Sequence, residues 1–497
     1  MADGTMTGQG MKSIGYCIGL WAKQKVSSIA IQDERRSISW EALDRRTNRL
    51  ARAYAQRGVS EGDFVVVALP NSVDFYEAAI AAWKLGATPL PLSVKMPEIE
   101  RGAILELVQP KLVIGLDAGD NSAWSGSGFD PSQSFSEMPL PDRPPKSWKA
   151  VASGGSTGRP KIIVSKDPGC FDPMTPAFGM MPDDVHLVAG PLYHNAAFMF
   201  SARALFCGNR LVIMRKFDAE YALEIIAEER VNYTVLVPTM MQRIWKLGDE
   251  ARAGYDISSL RNILHTGAAC PPWLKQGWIE WLGADGVLEV YGGTEGCGAC
   301  WITGSEWLQK PGSVGRALAG FRVRVTDSEG NDLPAGEVGD IYMMPEAGAG
   351  TSYYYIGGTP NRTPDGWESI GDLGSVDADG YIFLSDRRTD LIISGGANVY
   401  PAEVEAIIDG FPGVRSNAVI GLPDDDLGAR VHAIVDAPAG IDKAELLAHL
   451  ERFLVRYKVP RSIEFVDASL RDDAGKVRRS ALRLERIAQS TRQVASS

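Results

Sequence analysis

The chain has 497 residues, 45% hydrophobic and 23% charged, with a net charge of −11. That length exceeds a single core, so two or more domains are expected. The acidic balance excludes nucleic acid or an anionic membrane as the general partner but leaves local phosphate binding open.

In chain order, Met1 to Ser13 is Gly/Thr-rich and lacks the basic-then-apolar order of a signal peptide. Ser39 to Arg57 reads as an amphipathic helix capped by Ser39, with Leu43, Leu50 and Tyr54 on one face and Gly58 ending it. Phe64 to Leu69 reads as a buried strand stopped by Pro70, and a helix follows over Val73 to Lys84. The longest apolar stretch, Ala78 to Leu92, is broken by Lys84, Gly86, Pro89 and Pro91, so no transmembrane span is expected. Asp117 to Pro145 is rich in Ser, Pro, Gly and Asp and reads as an exposed connection. Beyond it, strands at Leu211–Met214, Tyr233–Val237, Asn262–His265 and Val287–Tyr291 alternate with helices at Ala219–Glu229, Met240–Leu247 and Trp273–Trp281. Apolar strands alternating with helices predict a mostly parallel sheet covered by helices. From Val314 short strands are expected at Arg322–Thr326, Gly339–Met343, Gly366–Ser369 and Tyr381–Ser385, separated by turns such as Asp379-Gly380. After Asp386 the texture returns to α/β, with helices at Ala402–Ile408 and Lys443–Val455 and strands at Ser416–Ile420 and Ile463–Val466.

Ser153-Gly154-Gly155-Ser156-Thr157-Gly158-Arg159-Pro160-Lys161 packs three glycines, three hydroxyls and two cations into nine residues. Glycines let the backbone aim successive N–H groups at a phosphate, and hydroxyls and cations add donors and charge. It is not a Walker A loop, because Arg-Pro-Lys follows Gly158. The alternative is a solvated Gly/Ser loop. The six cysteines are sparse and read as reduced thiols of a cytoplasmic protein. Cys297-Gly-Ala-Cys300 has redox-like spacing but no second pair or following His cluster.

Ser153–Lys161, Tyr291-Gly-Gly-Thr-Glu295, Gly371-Asp372, Asp386-Arg-Arg-Thr-Asp390 with Gly395-Gly396, and Gly475-Lys476 occur in that order. Together they resemble the adenylate-forming superfamily, which includes acyl-CoA synthetases, peptide-synthetase adenylation domains and firefly-type luciferases. The resemblance covers nearly the whole chain. It implies an α/β fold with a large N-terminal domain of parallel-rich sheets and helices plus a small β-barrel-like subdomain (1–386), a hinge (387–390) and a small mobile α+β C-terminal domain (391–497). It implies ATP, Mg²⁺ and coenzyme A as cofactors, a carboxylic acid as substrate, and a carrier protein as the alternative thiol. Oligomeric state is left open, a homodimer included.

Residue by residue, the resemblance places Tyr291 and Gly292 near the adenine, with Gly267 and Ala268 along it. Thr294 offers a hydroxyl to the α-phosphate, and Glu295 a carboxylate to Mg²⁺. Asp372 accepts the ribose hydroxyls, with Arg387 beside the ribose and hinge. His194 lies beside the acyl pocket, and Lys476 enters the site for adenylation. Gly395 and Gly396 flank the pantetheine channel. Three positions depart from the family pattern: Thr389 at the hinge, Ile162 after the phosphate-loop lysine and Leu470 before the lysine loop. The chain looks most like ligases for bile acids and other polycyclic or terpenoid acids, with aryl and medium-chain acids as runners-up. A nucleotide sensor without ligase activity is disfavoured by the joint presence of Glu295, Asp372 and Lys476.

Overall fold

A computed structural model describes residues 10–116, 134–154, 160–424, 426–472 and 475–496. Among these, a nine-stranded sheet runs in the order Arg316–Ala317, Ala299–Thr303, Val287–Gly292, Asn262–His265, Tyr233–Leu236, Val185–Val188, Arg210–Ile213, Ile29–Asp33, Ser37–Ser39. Strands from Val287–Gly292 through Ile29–Asp33 pair in parallel, and the pairings outside them are antiparallel. The parallel strands are apolar on both faces because helices cover both.

Local signals explain the covering helices. Ser39 accepts the N–H of Ala42 and caps Trp40–Gln56, which buries Leu43, Leu50, Ala51 and Tyr54. Val73–Lys84 is buried almost all round, and Lys84 enters the core only because Asp44, Thr47 and Asn48 accept from its ammonium. A three-stranded parallel sheet, Thr88–Pro91, Phe64–Val67 and Leu112–Ile114, lies alongside a three-stranded antiparallel one, Tyr353–Ile356, Pro160–Ser165 and Ala150–Gly154.

The β-rich region is not a closed barrel. Phe321–Thr326, Gly339–Pro345, Asp372–Val376 and Ile382–Arg387 form an open four-stranded sheet whose first and last strands do not pair. Gly366–Ser369, expected as a strand, makes only isolated bridges from Glu368 to Met343 and Arg362. The turn bonding Thr363 N–H to the Trp367 carbonyl folds the chain back too tightly for a ladder.

The small C-terminal domain carries the sheet Ser416–Asp424, Gly428–Asp436 and Ser462–Val466 with helices Pro401–Asp409, Lys443–Phe453 and Arg479–Ser496. Its core is a separate apolar cluster around Val404, Ile408, Val419, Ala433 and Leu446. No described helix is long and apolar enough to cross a membrane.

Candidate active site

Four neighbouring parallel strands of the large sheet end at one cavity of about 2600 Å³. Tyr193 to Asn195 follow Val185–Val188, Val237 follows Tyr233–Leu236, Thr266 and Gly267 follow Asn262–His265, and Gly293 to Gly296 follow Val287–Gly292. Open parallel sheets bind ligands at this carboxyl edge. The hairpin Ala150–Gly154 with Pro160–Ser165 adds Ser153 and Lys161, which face each other in register. Gly155, Ser156, Thr157 and Gly158 lie outside the described residues. Gly267 lines the cavity in a left-handed conformation (φ 85°), whereas Ala268 is not part of its wall. Gly293 lets the chain pass close to Glu295: a Cβ there would meet Glu295 Oε2 at 2.8 Å and displace that carboxylate.

Two polar clusters organise the wall. In the first, Tyr291 donates to Asp372 Oδ2 at 2.7 Å, and Arg387 Nε lies 3.3 Å from Asp372 Oδ1. The antiparallel register sets Asp372 opposite Arg387. Burial raises the Asp372 carboxyl above its ordinary value against the pull of Arg387, and burial, then Asp372, pushes the Tyr291 phenol well up. In the second, Tyr355 donates to Glu295 Oε1 at 2.6 Å and accepts from Lys161 Nζ at 2.9 Å. Lys161 Nζ is 3.7 Å from Glu295. Tyr355, opposite Ile163 in the strand beside the phosphate-loop hairpin, was not expected from motifs. The run Tyr353-Tyr354-Tyr355 on a strand was the available signal.

The C-terminal domain reaches the same cavity. Lys476 lines it, held in a loop where Lys476 N–H donates to Asp472 Oδ1 at 2.9 Å and Gly475 N–H to the Asp472 carbonyl at 2.8 Å. Lys476 is exposed to the cavity's solvent, yet crowding by surrounding protein, then Arg387, lowers its pKa, with Asp472 and Glu295 opposing. Gly395 and Gly396 are elsewhere, on the turn between Ile392–Ser394 and Ala397–Val399, and do not line the cavity. At 387–390, Arg388 pairs with Asp340 of the large domain, and Asp390 lies 2.7 Å from Arg479 of the small one. Arg479 also binds Glu405, a link no motif announced.

His194 stands at the start of helix Asn195–Phe206 and packs its ring 4.5 Å from that of Tyr193. Met199, Phe200, Phe178 and Trp301 also line the cavity, as do the small-sided Gly298 and Ala299, the latter on the same strand face as Trp301. Cys297 and Cys300 are buried, and burial pushes both thiols up to about 12, a setting for inert rather than reactive cysteines.

Residues 20–354 match the family described as AMP-binding enzyme, and residues 403–476 match its C-terminal domain. The chain belongs to the AMP-binding enzymes, and within them to the acyl-CoA synthetases. It is 32% identical to a feruloyl-CoA synthase of Amycolatopsis sp., over 94% of this chain and 98% of that one. It is 30% identical, over 92% and 95%, to a methyl-dioxo-octahydro-indenyl propanoyl:CoA ligase of Rhodococcus jostii (strain RHA1). The crystal structure of ATP-bound MatB from Rhodopseudomonas palustris superposes with a TM-score of 0.79 at 27% identity, covering 96% of this chain and 99% of that one.

Proposed function

We propose that this protein activates a ring-bearing carboxylic acid with ATP as acyl-AMP, releasing pyrophosphate, and then passes the acyl group to the thiol of coenzyme A. In this reading it works in the cytoplasm, residues 1–386 bind ATP and acid, 387–390 bend, and 391–497 rotate. The observation that carries the reading is the meeting of Lys476, from the C-terminal domain, with Lys161, Glu295 and Tyr291 around one cavity, Tyr291 being bonded to Asp372 behind the wall.

Asp372 accepts the ribose hydroxyls, and Tyr291, Gly292 and Gly267 take the adenine. Thr294 donates to the α-phosphate, while Ser153, Lys161 and the glycine loop hold the leaving phosphates. The acid's carboxylate attacks the α-phosphorus in line and pyrophosphate departs. Lys476 holds positive charge where the carboxylate and α-phosphate crowd, so catalysis is positioning and electrostatics. Glu295, a carboxylate in the cavity wall, would hold Mg²⁺, a hard oxygen-seeking cation that would supply positive charge against the polyphosphate. For the thiol step the C-terminal domain rotates, withdraws Lys476 and presents Gly395 and Gly396 beside the pantetheine arm.

The small floor at Gly298 and Ala299 and the aromatic walls support a bulky cyclic acid, as does similarity to the indenyl propanoyl:CoA ligase. An aryl acid is the second reading, favoured by similarity to feruloyl-CoA synthase.

The test is Lys476→Ala. Pyrophosphate exchange is expected to fall at least a hundredfold, on the order set by losing a charge from the transition state, while thioester formation from supplied acyl-AMP persists. Equal loss of both half-reactions overturns the domain-rotation reading. Adenylation without thioester to free coenzyme A, across fatty, aryl and polycyclic acids, assigns the thiol to a carrier protein instead.

A further inference from the structure

Three buried lysines can be compared within one chain. Lys84 donates to Asp44, Thr47 and Asn48, and Lys275 lies 2.5 Å from the Glu289 carboxylate. Lys149, only 6% exposed, donates to the neutral side-chain oxygen of Asn195 and has no carboxylate within 4 Å among the described residues. A buried ammonium with one neutral acceptor is expensive to keep, and such groups normally find a charge partner.

Lys149 is not alone. Arg203, on the helix that starts after His194, lines the same cavity with its guanidinium over the rings of Phe171 (5.3 Å) and Phe178 (5.8 Å). Its Nε is buried without a hydrogen-bond partner among the described residues, and so is the indole Nε1 of Trp148, which also lines the cavity. Asp167 is the carboxylate whose field reaches both cations, yet it forms an ion pair with neither. Asp172, also in the wall, spends its carboxylate on Thr175 and the Met174 N–H. Burial, then the Arg203 charge, holds Lys149 down at about 8. The cluster therefore offers donors and positive charge in a low-dielectric aromatic wall, with Asp167 and Glu295 acting on it only from beyond ion-pair distance.

We infer that Lys149, Arg203 and the Trp148 indole form an anion subsite in the acyl cavity, selecting acids that carry a second carboxylate distant from the one that is adenylated. Lys149 meets Asn195 at the start of the helix and Arg203 lies eight residues further on, about 12 Å along the axis at 1.5 Å per residue, a span of ring-system size, with Phe171 in contact with both Arg203 and Trp148. The inference deepens the ligase reading above and rests on it. A guanidinium binds a carboxylate through paired N–H groups, and Arg203 Nε is one such group without a partner among the described residues.

The experiment measures pyrophosphate release from ATP with 4-carboxycinnamic acid and bicyclic diacids, each against its distal monomethyl ester and the parent monoacid. The wild-type protein is expected to prefer the diacid in kcat/KM by about tenfold or more, the scale of a hydrogen-bonded charge pair. Arg203→Met and Lys149→Met are expected to collapse that preference through KM, and Arg203→Lys to retain part of it. Diacid and ester used equally well, or the ester preferred, overturns the inference while leaving the ligase intact. No pyrophosphate from any acid overturns the ligase reading itself. The wild-type comparison decides even where a variant fails to fold.

Discussion

One hydroxyl, that of Tyr355, joins the Lys161 cation to the Glu295 carboxylate. It fixes the distance between the charge proposed to hold phosphate and the one proposed to hold Mg²⁺ without neutralising either. Tyr355→Phe keeps both charges and the ring under Lys161, so it removes only the positioning. Adenylation kcat should fall about tenfold to a hundredfold, because a hydrogen bond to a charged group contributes about 1.5–3 kcal/mol. Pyrophosphate exchange measures this, and thioester formation from supplied acyl-AMP should be unchanged. Lys149 tests the opposite quantity, stability. Its pKa falls from 10.5 to about 8 on folding, so the unfolded chain binds the proton more tightly. Below pH 8 the native state carries the full penalty of about 3 kcal/mol. Lys149→Met should therefore raise Tm at pH 7, with the advantage shrinking as pH rises from 8 to 10.5. A variant less stable at pH 7 would show that the ammonium is a structural support.

At the scale of elements, the lysine loop depends on one contact across the domains. Gly475 has φ 76°, and a Cβ on it would meet Thr239 Oγ1 at 2.2 Å. Gly475→Ala should disfavour seating of Lys476 twice over, by backbone strain and by collision. Pyrophosphate exchange should drop by an order of magnitude or more, with thioester formation from acyl-AMP spared; equal loss of both would make the loop merely structural. Glycine and motif spacing made this loop legible in the sequence, as they did the turn holding Thr294 and Glu295. Periodicity likewise revealed Trp40–Gln56, which has a cap and one buried face, whereas Val73–Lys84 is buried almost all round and begins at a Ser72 cap. Asn195–Phe206 escaped notice because Asn-Ala-Ala-Phe-Met-Phe-Ser-Ala-Arg-Ala-Leu-Phe is apolar nearly all round and, unlike Val73–Lys84, starts without a side-chain cap. Arg203 was hidden with it. Tyr355 and Arg479 act through partners distant in the chain, Glu295 and Glu405, and no local pattern encodes such pairings. The barrel expectation failed for a similar reason: strand count is local, but closure depends on which edges meet.

For the whole molecule, the question is what holds the C-terminal domain with Lys476 inward. Lys246, at the end of helix Pro238–Trp245, donates to the Val414 carbonyl at 2.5 Å. Gln242 on that helix reaches the Asp409 carbonyl at 3.4 Å. The hinge itself is tied to both sides, through Arg388 to Asp340 and through Asp390 to Arg479. These bonds stabilise the arrangement proposed for the first half-reaction, and the proposed rotation would break those that cross the interface. Lys246 is already weakened as a cation by burial, against Asp409 and Asp436, so its bond is a shared cost of desolvation and contact. Lys246→Ala removes that bond from the arrangement with Lys476 inward. A ligand-independent bias shifts populations only by the difference it makes between states. Pyrophosphate exchange should therefore fall by about tenfold, the scale of a charged hydrogen bond, while thioester formation from acyl-AMP holds steady or quickens. A parallel fall in both half-reactions, measured on one preparation, would mean that Lys246 supports the fold of the large domain and does not bias the rotation.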